Sequence, residues 1–279
     1  MALLVEAFER CRGPEDAAAP SLDRAGFKEL VRELDLWCSS SMVALEDRAP
    51  VGVLLGAKRP AATLVYGLRV HPEHRRRGHG RHLLTSLGQK LAILGPPRLV
   101  AEVPADRAPA RALFAACRWR EEGRLVDWRR TGEGAPPSPA GGPGPLHGLA
   151  VGPMALEEVL ASGLVRDVPR CWRRDPRALE TRREGVLGLG FCSPERLEAV
   201  LLYRAGPGAW EILALGGSGS ELGRAGLRAL LEELARRAGG APLELARAAP
   251  EEVDSRLLAE LGFRAGAEHL RFAGDAQSA

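Results

Sequence analysis

The chain has 279 residues, of which 45% are hydrophobic, and its 39 basic and 36 acidic residues give a formal net charge of +3. Length and apolar content predict two ordinary domains with packed cores. The near balance of charge argues against a general nucleic-acid-binding protein. No apolar run approaches the length of a membrane-spanning helix, and residues 2–5 lack a preceding basic region, so we expect a cytoplasmic protein without a membrane partner.

The five cysteines are scattered, form no Cys-x-x-Cys pair and are odd in number. This pattern predicts buried free thiols and argues against a zinc site or a disulfide framework. The six histidines show no ligand spacing, so the sequence predicts no metal site. Almost all basic residues are Arg and Asn is absent, which is consistent with a GC-rich bacterial source.

The first elements in chain order are strands followed by a helix. Apolar runs at residues 42–47 and 51–58 flank a turn and predict a hairpin. A third strand is predicted over residues 63–70. Leucines at helical spacing after residue 82 predict a helix.

The turn between this strand and helix lies in the run VHPEHRRRGHGRHLL, residues 70–84. Gly78 and Gly80 lack a Cβ, so their backbone amides can approach a ligand closely. The first amides of a helix are unpaired and carry the positive end of the helix dipole. Four arginines add fixed positive charge around them: Arg75, Arg76, Arg77 and Arg81. The turn is therefore predicted to bind a phosphate or pyrophosphate group.

Two common phosphate-binding motifs are absent from this run. The dinucleotide fingerprint lacks its third glycine, and the Gly-Lys-Ser/Thr end of the phosphate loop is missing. The full string Val70-x-Pro72-x-x-Arg75-x-x-Gly78-x-Gly80 instead resembles the acetyl-CoA-binding motif of the GNAT N-acetyltransferase superfamily. In that family an Arg or Gln opens the Gly-x-Gly/Ala turn.

Later elements extend the resemblance over residues 1–130. A strand at 98–103, a helix at 109–117 and a strand at 125–129 follow in the order of the GNAT fold, a mixed α/β fold with a mainly antiparallel sheet and flanking helices. The resemblance implies acetyl-CoA as acyl donor and direct transfer to a primary amine in a ternary complex. It also implies that the strands at 63–70 and 98–103 splay apart around the cofactor.

The resemblance assigns cofactor contacts to the third strand, the turn and the later helix. These residues are Leu68, Arg69, Val70, Arg75, Arg76, Arg77, Gly78, His79, Gly80, Arg81 and Phe114.

The catalytic positions depart from the family pattern. Phe114 stands where many members have the Tyr that protonates the leaving thiolate, and Phe cannot donate a proton. Tyr66 on the cofactor strand and Glu102 on the adjacent strand are the candidates for catalysis. Each has a structural alternative, a satisfied core hydroxyl for Tyr66 and an ion pair with an arginine for Glu102.

Residues 131–148 are rich in Pro, Gly and Ser and predict a linker between domains at 1–130 and 149–279. Beyond it, strands at 186–191, 199–204 and 210–215 precede a helix at 222–237. A strand at 243–246 and a helix at 255–261 follow. The order repeats that of the first half. We therefore expect a second GNAT-like domain in tandem.

The second cofactor turn is degenerate. Residues 216–226 contain glycines but no opening Arg, Glu221 would face the pyrophosphate, and Leu258 takes the general-acid position. We expect one acetyl-CoA per chain, in the first domain, and a structural role for the second. Two functions stay open at this point: an N-acetyltransferase, or a non-catalytic acyl-CoA-binding or sensor protein.

Overall fold

A computed structural model of the chain describes residues 1–17, 20–132, 149–165, 168, 170–181 and 183–276. The chain forms two compact units, one of Met1–Gly123 with His269–Ala279 and one of Arg124–Glu268. The predicted linker lies outside the described residues from position 133 onwards. Within the described ranges, every helix is too short or too polar to cross a membrane.

Eight helices and eleven strands are described. The helices are α1 (Ala2–Arg10), α2 (Arg24–Leu34), α3 (His79–Leu94), α4 (Ala108–Ala116), α5 (Leu156–Ala161), α6 (Pro176–Thr181), α7 (Glu221–Ala238) and α8 (Ser255–Glu260). The strands are β1 (Met42–Glu46), β2 (Ala49–Lys58), β3 (Thr63–Val70), β4 (Arg98–Pro104), β5 (Arg120–Arg130), β6 (Ala150–Met154), β7 (Val186–Cys192), β8 (Leu197–Ala205), β9 (Trp210–Gly217), β10 (Leu243–Ala248) and β11 (Arg264–Asp275).

The sheet of the first unit has the order β1-β2-β3-β4-β11. Strands β1, β2 and β3 are antiparallel neighbours, β3 and β4 are parallel, and β4 and β11 are antiparallel. The predicted mixed α/β fold is confirmed.

The C-terminal strand completes the first unit. Residues 269–275 of β11 pair with 98–104 of β4, and Leu270 and Phe272 enter the core of this unit. Residues 126–130 of β5 pair with β10 in the second unit. Each unit thus contains a strand from the other half of the sequence, a feature that the predicted boundaries 1–130 and 149–279 do not include.

One apolar cluster of the first unit joins α3 and α4 to the sheet. It forms because the apolar face of α3 meets alternate residues of β4. Its buried members are Leu54, Val65, Leu83, Leu84, Leu87, Leu91, Leu99, Ala101, Val103, Phe114, Trp119, Leu270, Phe272 and Ala276.

The second unit repeats this arrangement with the strand order β5-β10-β9-β8-β7-β6. Strands β7, β8 and β9 are antiparallel neighbours and β9 and β10 are parallel, as β1, β2, β3 and β4 are in the first unit. Helix α7 follows β9 as α3 follows β3. The predicted repetition of elements is confirmed by this topology.

Phe272 tests the contribution of β11 to the first unit. Its ring stacks on Phe114 with centroids 5.5 Å apart and is 4% exposed. We expect Phe272→Ala to lower the free energy of unfolding by about 3–5 kcal/mol because it leaves a cavity in the core. Exposed Arg264 on the same strand is the control, and Arg264→Ala should change stability by about 0.5 kcal/mol or less. Equal urea-unfolding midpoints for the two variants would contradict this role.

Candidate functional site

The turn before α3 presents a run of unpaired backbone amides. The amides of His74 and Arg75 donate to carbonyls within the turn, and the amide of His82 donates to Gly78 O at 2.9 Å. Between them, the six amides of residues 76–81 have no hydrogen-bond acceptor among the described residues. Because three of these amides belong to the first turn of α3, the positive end of the helix dipole lies here as well.

The two glycines of the turn have different roles. Gly78 is the N-cap of α3 with φ +91°, and no atom lies within 4 Å of the position that a Cβ would take. A Cβ on Gly80 would instead lie 3.0 Å from Leu113 Cδ2 and 3.5 Å from Leu68 Cδ2. Gly78 therefore keeps the space in front of the amides open. Gly80 allows α3 to pack closely against β3 and α4.

The predicted arginines divide into engaged and exposed side chains. Arg75 donates from Nε to Val70 O at 3.1 Å and from Nη2 to Glu15 Oε1 at 2.5 Å, and this bond lowers the pKa of Glu15. Arg76 is exposed and has a left-handed φ of +65°. Arg77 is 57% exposed. Arg76 and Arg77 are therefore the more exposed arginines of the turn.

Arg81 lies on the first turn of α3 beside Cys117. Burial raises the pKa of the Cys117 thiol, and the guanidinium of Arg81 opposes this shift through charge and a hydrogen bond. The side chain of Arg81 itself is exposed. It adds positive charge near the unpaired amides.

The parallel pair of β3 and β4 parts after three residue pairs, Thr63 to Val65 with Leu99 to Ala101. A bulge lies at the point of parting, because Leu55 opposes Gly67 and Gly56 opposes Val65, which leaves Tyr66 as the extra residue. Beyond the bulge, residues 67–70 pair with β2 on one side only. The other edge of β3 offers backbone groups to a ligand, with Val70 O already accepting from Arg75.

The side chains of the remaining predicted cofactor contacts point to other partners. Leu68 lies against Gly80. The guanidinium of Arg69 lies 3.6 Å from the centroid of the Phe8 ring and donates to Phe8 O at 2.9 Å. Phe114 is 4% exposed, with its ring between those of Trp119 and Phe272. Arg69 is thus available through its backbone, and Phe114 is a core residue whose predicted contact with a cofactor stays a prediction.

Tyr66 and Glu102 differ in their surroundings. Tyr66 is half-buried, and its hydroxyl makes no hydrogen bond to any described residue. Glu102 is half-buried and directly opposite Arg271 in the register of β4 and β11. Opposite charges at such positions attract, which favours the ion-pair alternative for Glu102.

In the second unit, an arginine occupies the gap between the corresponding strands. Strands β9 and β10 pair only at Trp210–Leu243 and Glu211–Glu244. Where they part, Arg174 donates from Nε to Ala246 O at 2.7 Å and lies 3.5 Å from Leu213 O. The structure makes 172–174 a short 3₁₀ helix that delivers a buried guanidinium into the gap.

Glu252 holds this arginine in place. Both carboxylate oxygens of Glu252 accept from Arg174 Nη2 at 2.7 Å, and the side chains are 0% and 3% exposed. The same carboxylate accepts from the amide of Ala249 at 2.9 Å. Moving either partner of such a buried pair would leave the other charge uncompensated, which is strongly destabilising. The gap between β9 and β10 is therefore filled by a fixed side chain.

A buried carboxylate lies beside the start of α7. Glu198 is 2% exposed and accepts hydrogen bonds from Arg196 Nε at 2.8 Å and Ser218 Oγ at 2.7 Å. These bonds lower its pKa to about 2. The N-cap Ser220 accepts from the amide of Gly223 at 3.0 Å. By strand register Glu198 corresponds to apolar Val51 of the first unit, so the negative charge is specific to the second unit.

Comparison with known protein families finds a match to the part of the chain that contains the turn before α3. Residues 3–118 match the family described as the Acetyltransferase (GNAT) family. Over these residues the chain is similar to GNAT acetyltransferases. The resemblance predicted from residues 70–80 is confirmed, and the matched segment includes the turn, strands β3 and β4, and α4.

Solved structures extend the likeness to the full chain. A GCN5-related N-acetyltransferase from Sphaerobacter thermophilus is 16% identical, with a TM-score of 0.68 over 98% of this chain and 91% of that one. A tandem GNAT protein from the clavulanic acid biosynthesis pathway is 18% identical, with a TM-score of 0.62 over 99% and 95%. A GCN5-related N-acetyltransferase from Kribbella flavida is 15% identical, with a TM-score of 0.57 over 89% of this chain and 92% of that one. At these identities the likeness shows the fold. No curated protein sequence matches the chain.

The pH dependence of stability tests the charge of Glu198. Its pKa falls from an ordinary 4.5 to about 2 in the folded protein, so the ionised carboxylate stabilises the fold at neutral pH. This contribution is lost as the pH falls from about 5 towards 2. We expect Glu198→Gln to lower the thermal midpoint at pH 7, and the difference from the native protein to shrink at each step below pH 5. A difference that stays constant down to the lowest pH at which both remain folded would contradict this.

Proposed function

We propose that the chain is an acetyl-CoA-dependent N-acetyltransferase that acts on a primary amine and uses the first unit alone. The observation that carries the proposal is the placement of six unpaired amides beside an open strand edge. These two features suit the two ends of one ligand, a pyrophosphate and an amide-containing arm. Because acetyl-CoA is made and used inside cells, the donor also fits the expected cytoplasmic location.

The turn supplies the anion-binding part of this site. We assign the pyrophosphate to the amides of residues 76–81, with Arg76 and Arg77 as added positive charge. Arg75 supports the turn by its bond to Val70 O and its pair with Glu15. The open edge of β3 at residues 68–70 is assigned to the pantetheine arm, whose amides continue the strand pairing that β4 leaves off.

Acetyl transfer forms a carbon–nitrogen bond as the amine attacks the thioester carbonyl and breaks the carbon–sulfur bond. Because the amine is itself the nucleophile, no protein nucleophile is required. The amine loses a proton during the reaction and the departing thiolate gains one. A backbone N–H on the open edge of β3 is the assigned donor to the developing oxyanion. The chain also positions the donor and excludes water from it, which alone supplies much of the rate.

Tyr66 is the assigned proton-transfer group. It lies at the bulge where β3 and β4 part, and its hydroxyl has no partner among the described residues. Phe114 has no ionisable group and is enclosed by aromatic rings. Proton transfer therefore falls to Tyr66 or to water held near it. Glu102, opposite Arg271, is assigned to structure.

The second unit is assigned no acyl-CoA. Arg174 occupies the strand gap, and Glu198 places a negative charge at the start of α7. A pantetheine arm would have to displace a fully buried ion pair, and a pyrophosphate would meet a carboxylate. We therefore expect one acetyl-CoA per chain.

Two substitutions at Gly78, to Asp and to Asn, test the anion site because they differ in charge but have nearly the same shape. Asp and Asn are the residues that best tolerate its left-handed φ of +91°, and the space around it is open, so both variants should fold. Gly78→Asp places a carboxylate at the N-cap of α3. We expect it to weaken acetyl-CoA binding about 100-fold relative to Gly78→Asn, the equivalent of one to two charge-assisted hydrogen bonds.

Calorimetric titration checks both affinity and stoichiometry, with one site expected in the native protein. Equal affinity in Gly78→Asp and Gly78→Asn would contradict the placement of the pyrophosphate. A residual site of native affinity in Gly78→Asp would contradict the assignment of the second unit.

Removal of the Tyr66 hydroxyl tests its role in proton transfer. A panel of primary amines with acetyl-CoA, monitored for free thiol, first identifies an acceptor. With that acceptor, we expect Tyr66→Phe to lower kcat at least about 10-fold while acetyl-CoA affinity stays unchanged. Native kcat in Tyr66→Phe would assign proton transfer to water. Cofactor binding without turnover on the whole panel would instead favour the non-catalytic acyl-CoA sensor, for which the enclosed Phe114 is the supporting observation.

A further inference from the structure

Three possible metal ligands from separate elements converge beside the turn before α3. Glu46 ends β1, His74 ends the short 3₁₀ helix at residues 72–74, and His79 is the first residue of α3. His74 Nδ1 lies 2.7 Å from Glu46 Oε2, and His79 Nε2 lies 3.8 Å from the same oxygen. One ligand atom from each residue lies within 4.8 Å of those of the other two.

We propose that Glu46, His74 and His79 form a binding site for a divalent transition-metal cation of the zinc class. Ligand atoms around a tetrahedral zinc ion lie about 3.3 Å apart, given bonds of about 2.0–2.1 Å. The observed distances of 2.7 and 3.8 Å bracket that value, and the ligand atoms of the two histidines lie within 4.8 Å of each other. Side-chain rotations would bring all three to coordinating distance. Two imidazole nitrogens and one carboxylate oxygen favour zinc, cobalt or nickel over the oxygen-seeking magnesium and calcium.

The carboxylate of Glu46 divides its two oxygens between different partners. Oε2 faces both histidines, whereas Oε1 lies 3.9 Å from Nη1 of Arg77. Arg77 is 57% exposed, so solvent screens its repulsion of a cation held at Oε2. The side chains of Glu46, His74 and His79 are 44%, 25% and 23% exposed. A bound cation therefore keeps coordination positions open to water or to an anion from solution.

A second group, His71, Glu73 and His74, overlaps this site by sharing His74. We commit to the group with Glu46 and His79 because its donors come from three elements that the fold fixes, and because Glu46 Oε2 already contacts both histidines. Glu73 and His74 belong to one short 3₁₀ helix, which constrains their geometry less. Substitutions unique to each group distinguish the two.

Zinc titration of the full chain without a histidine tag tests the site. The exposed thiols of Cys38 and Cys192 are first replaced by serine, because they can bind zinc on their own. We expect one zinc ion per chain by calorimetry. Glu46→Gln and His79→Gln should each weaken binding at least about 10-fold, since each removes a ligand. His82, which is exposed in the first turn of α3, is the control. We expect His82→Gln to bind zinc with the affinity of the parent.

Circular dichroism of each variant confirms that it is folded before its affinity is compared. Absence of binding with zinc raised to millimolar concentration would overturn the proposal. Parental affinity in both Glu46→Gln and His79→Gln, or a loss that follows Glu73→Gln alone, would overturn it as well. The titration contains no acetyl-CoA, so its failure and a failure of the proposed function are distinguishable.

Discussion

A parallel strand pair that parts after a few residues leaves backbone groups inside a fold without partners, and each unit must satisfy them. In the first unit β3 and β4 part after Val65, and the rest of that edge of β3 has no pairing with β4. In the second unit β9 and β10 part after Glu211, and Arg174 donates to a carbonyl that the parting exposes. The same architecture thus leaves an open strand edge in the first unit and a closed structural joint in the second.

The two units also differ in the charge at the start of the helix that follows the parted strand, α3 in the first unit and α7 in the second. Unpaired amides at the start of a helix attract an anion. At α3 they are left open by Gly78, with exposed arginines beside them. At α7, Ser220 caps the helix and Glu198 supplies an internal negative group held by Arg196 and Ser218. The second unit therefore places its own side chains at the two positions that correspond to the open edge and the turn of the first unit.

Local patterns in the sequence predicted much of the fold and the position of the turn. Strand β3 has the predicted bounds, because β-branched and apolar residues between Pro and basic residues specify a strand without help from distant contacts. The glycine spacing located the start of α3, since Gly78 adopts a φ of +91° that other residues rarely tolerate.

Local sequence patterns do not predict contacts between segments that are far apart in the chain. Arg174 meets Glu252 across 78 residues and Ala246 across 72, and no spacing rule links them. The stacking of Phe114 on Phe272 could not be predicted either, because it depends on a strand that arrives from the far end of the chain. His74 and Glu46 are 28 residues apart, which is why histidine spacing alone indicated no metal site.

Amide hydrogen exchange tests the central claim most directly, because the claim concerns which backbone amides a ligand covers. Exchange is measured by residue with and without saturating acetyl-CoA. The account predicts that acetyl-CoA slows exchange at residues 76–81, whose amides are otherwise unpaired, and leaves the amides of 218–223 at the start of α7 unchanged. Slowed exchange at the start of α7, or none at residues 76–81 when acetyl-CoA is bound, would contradict it.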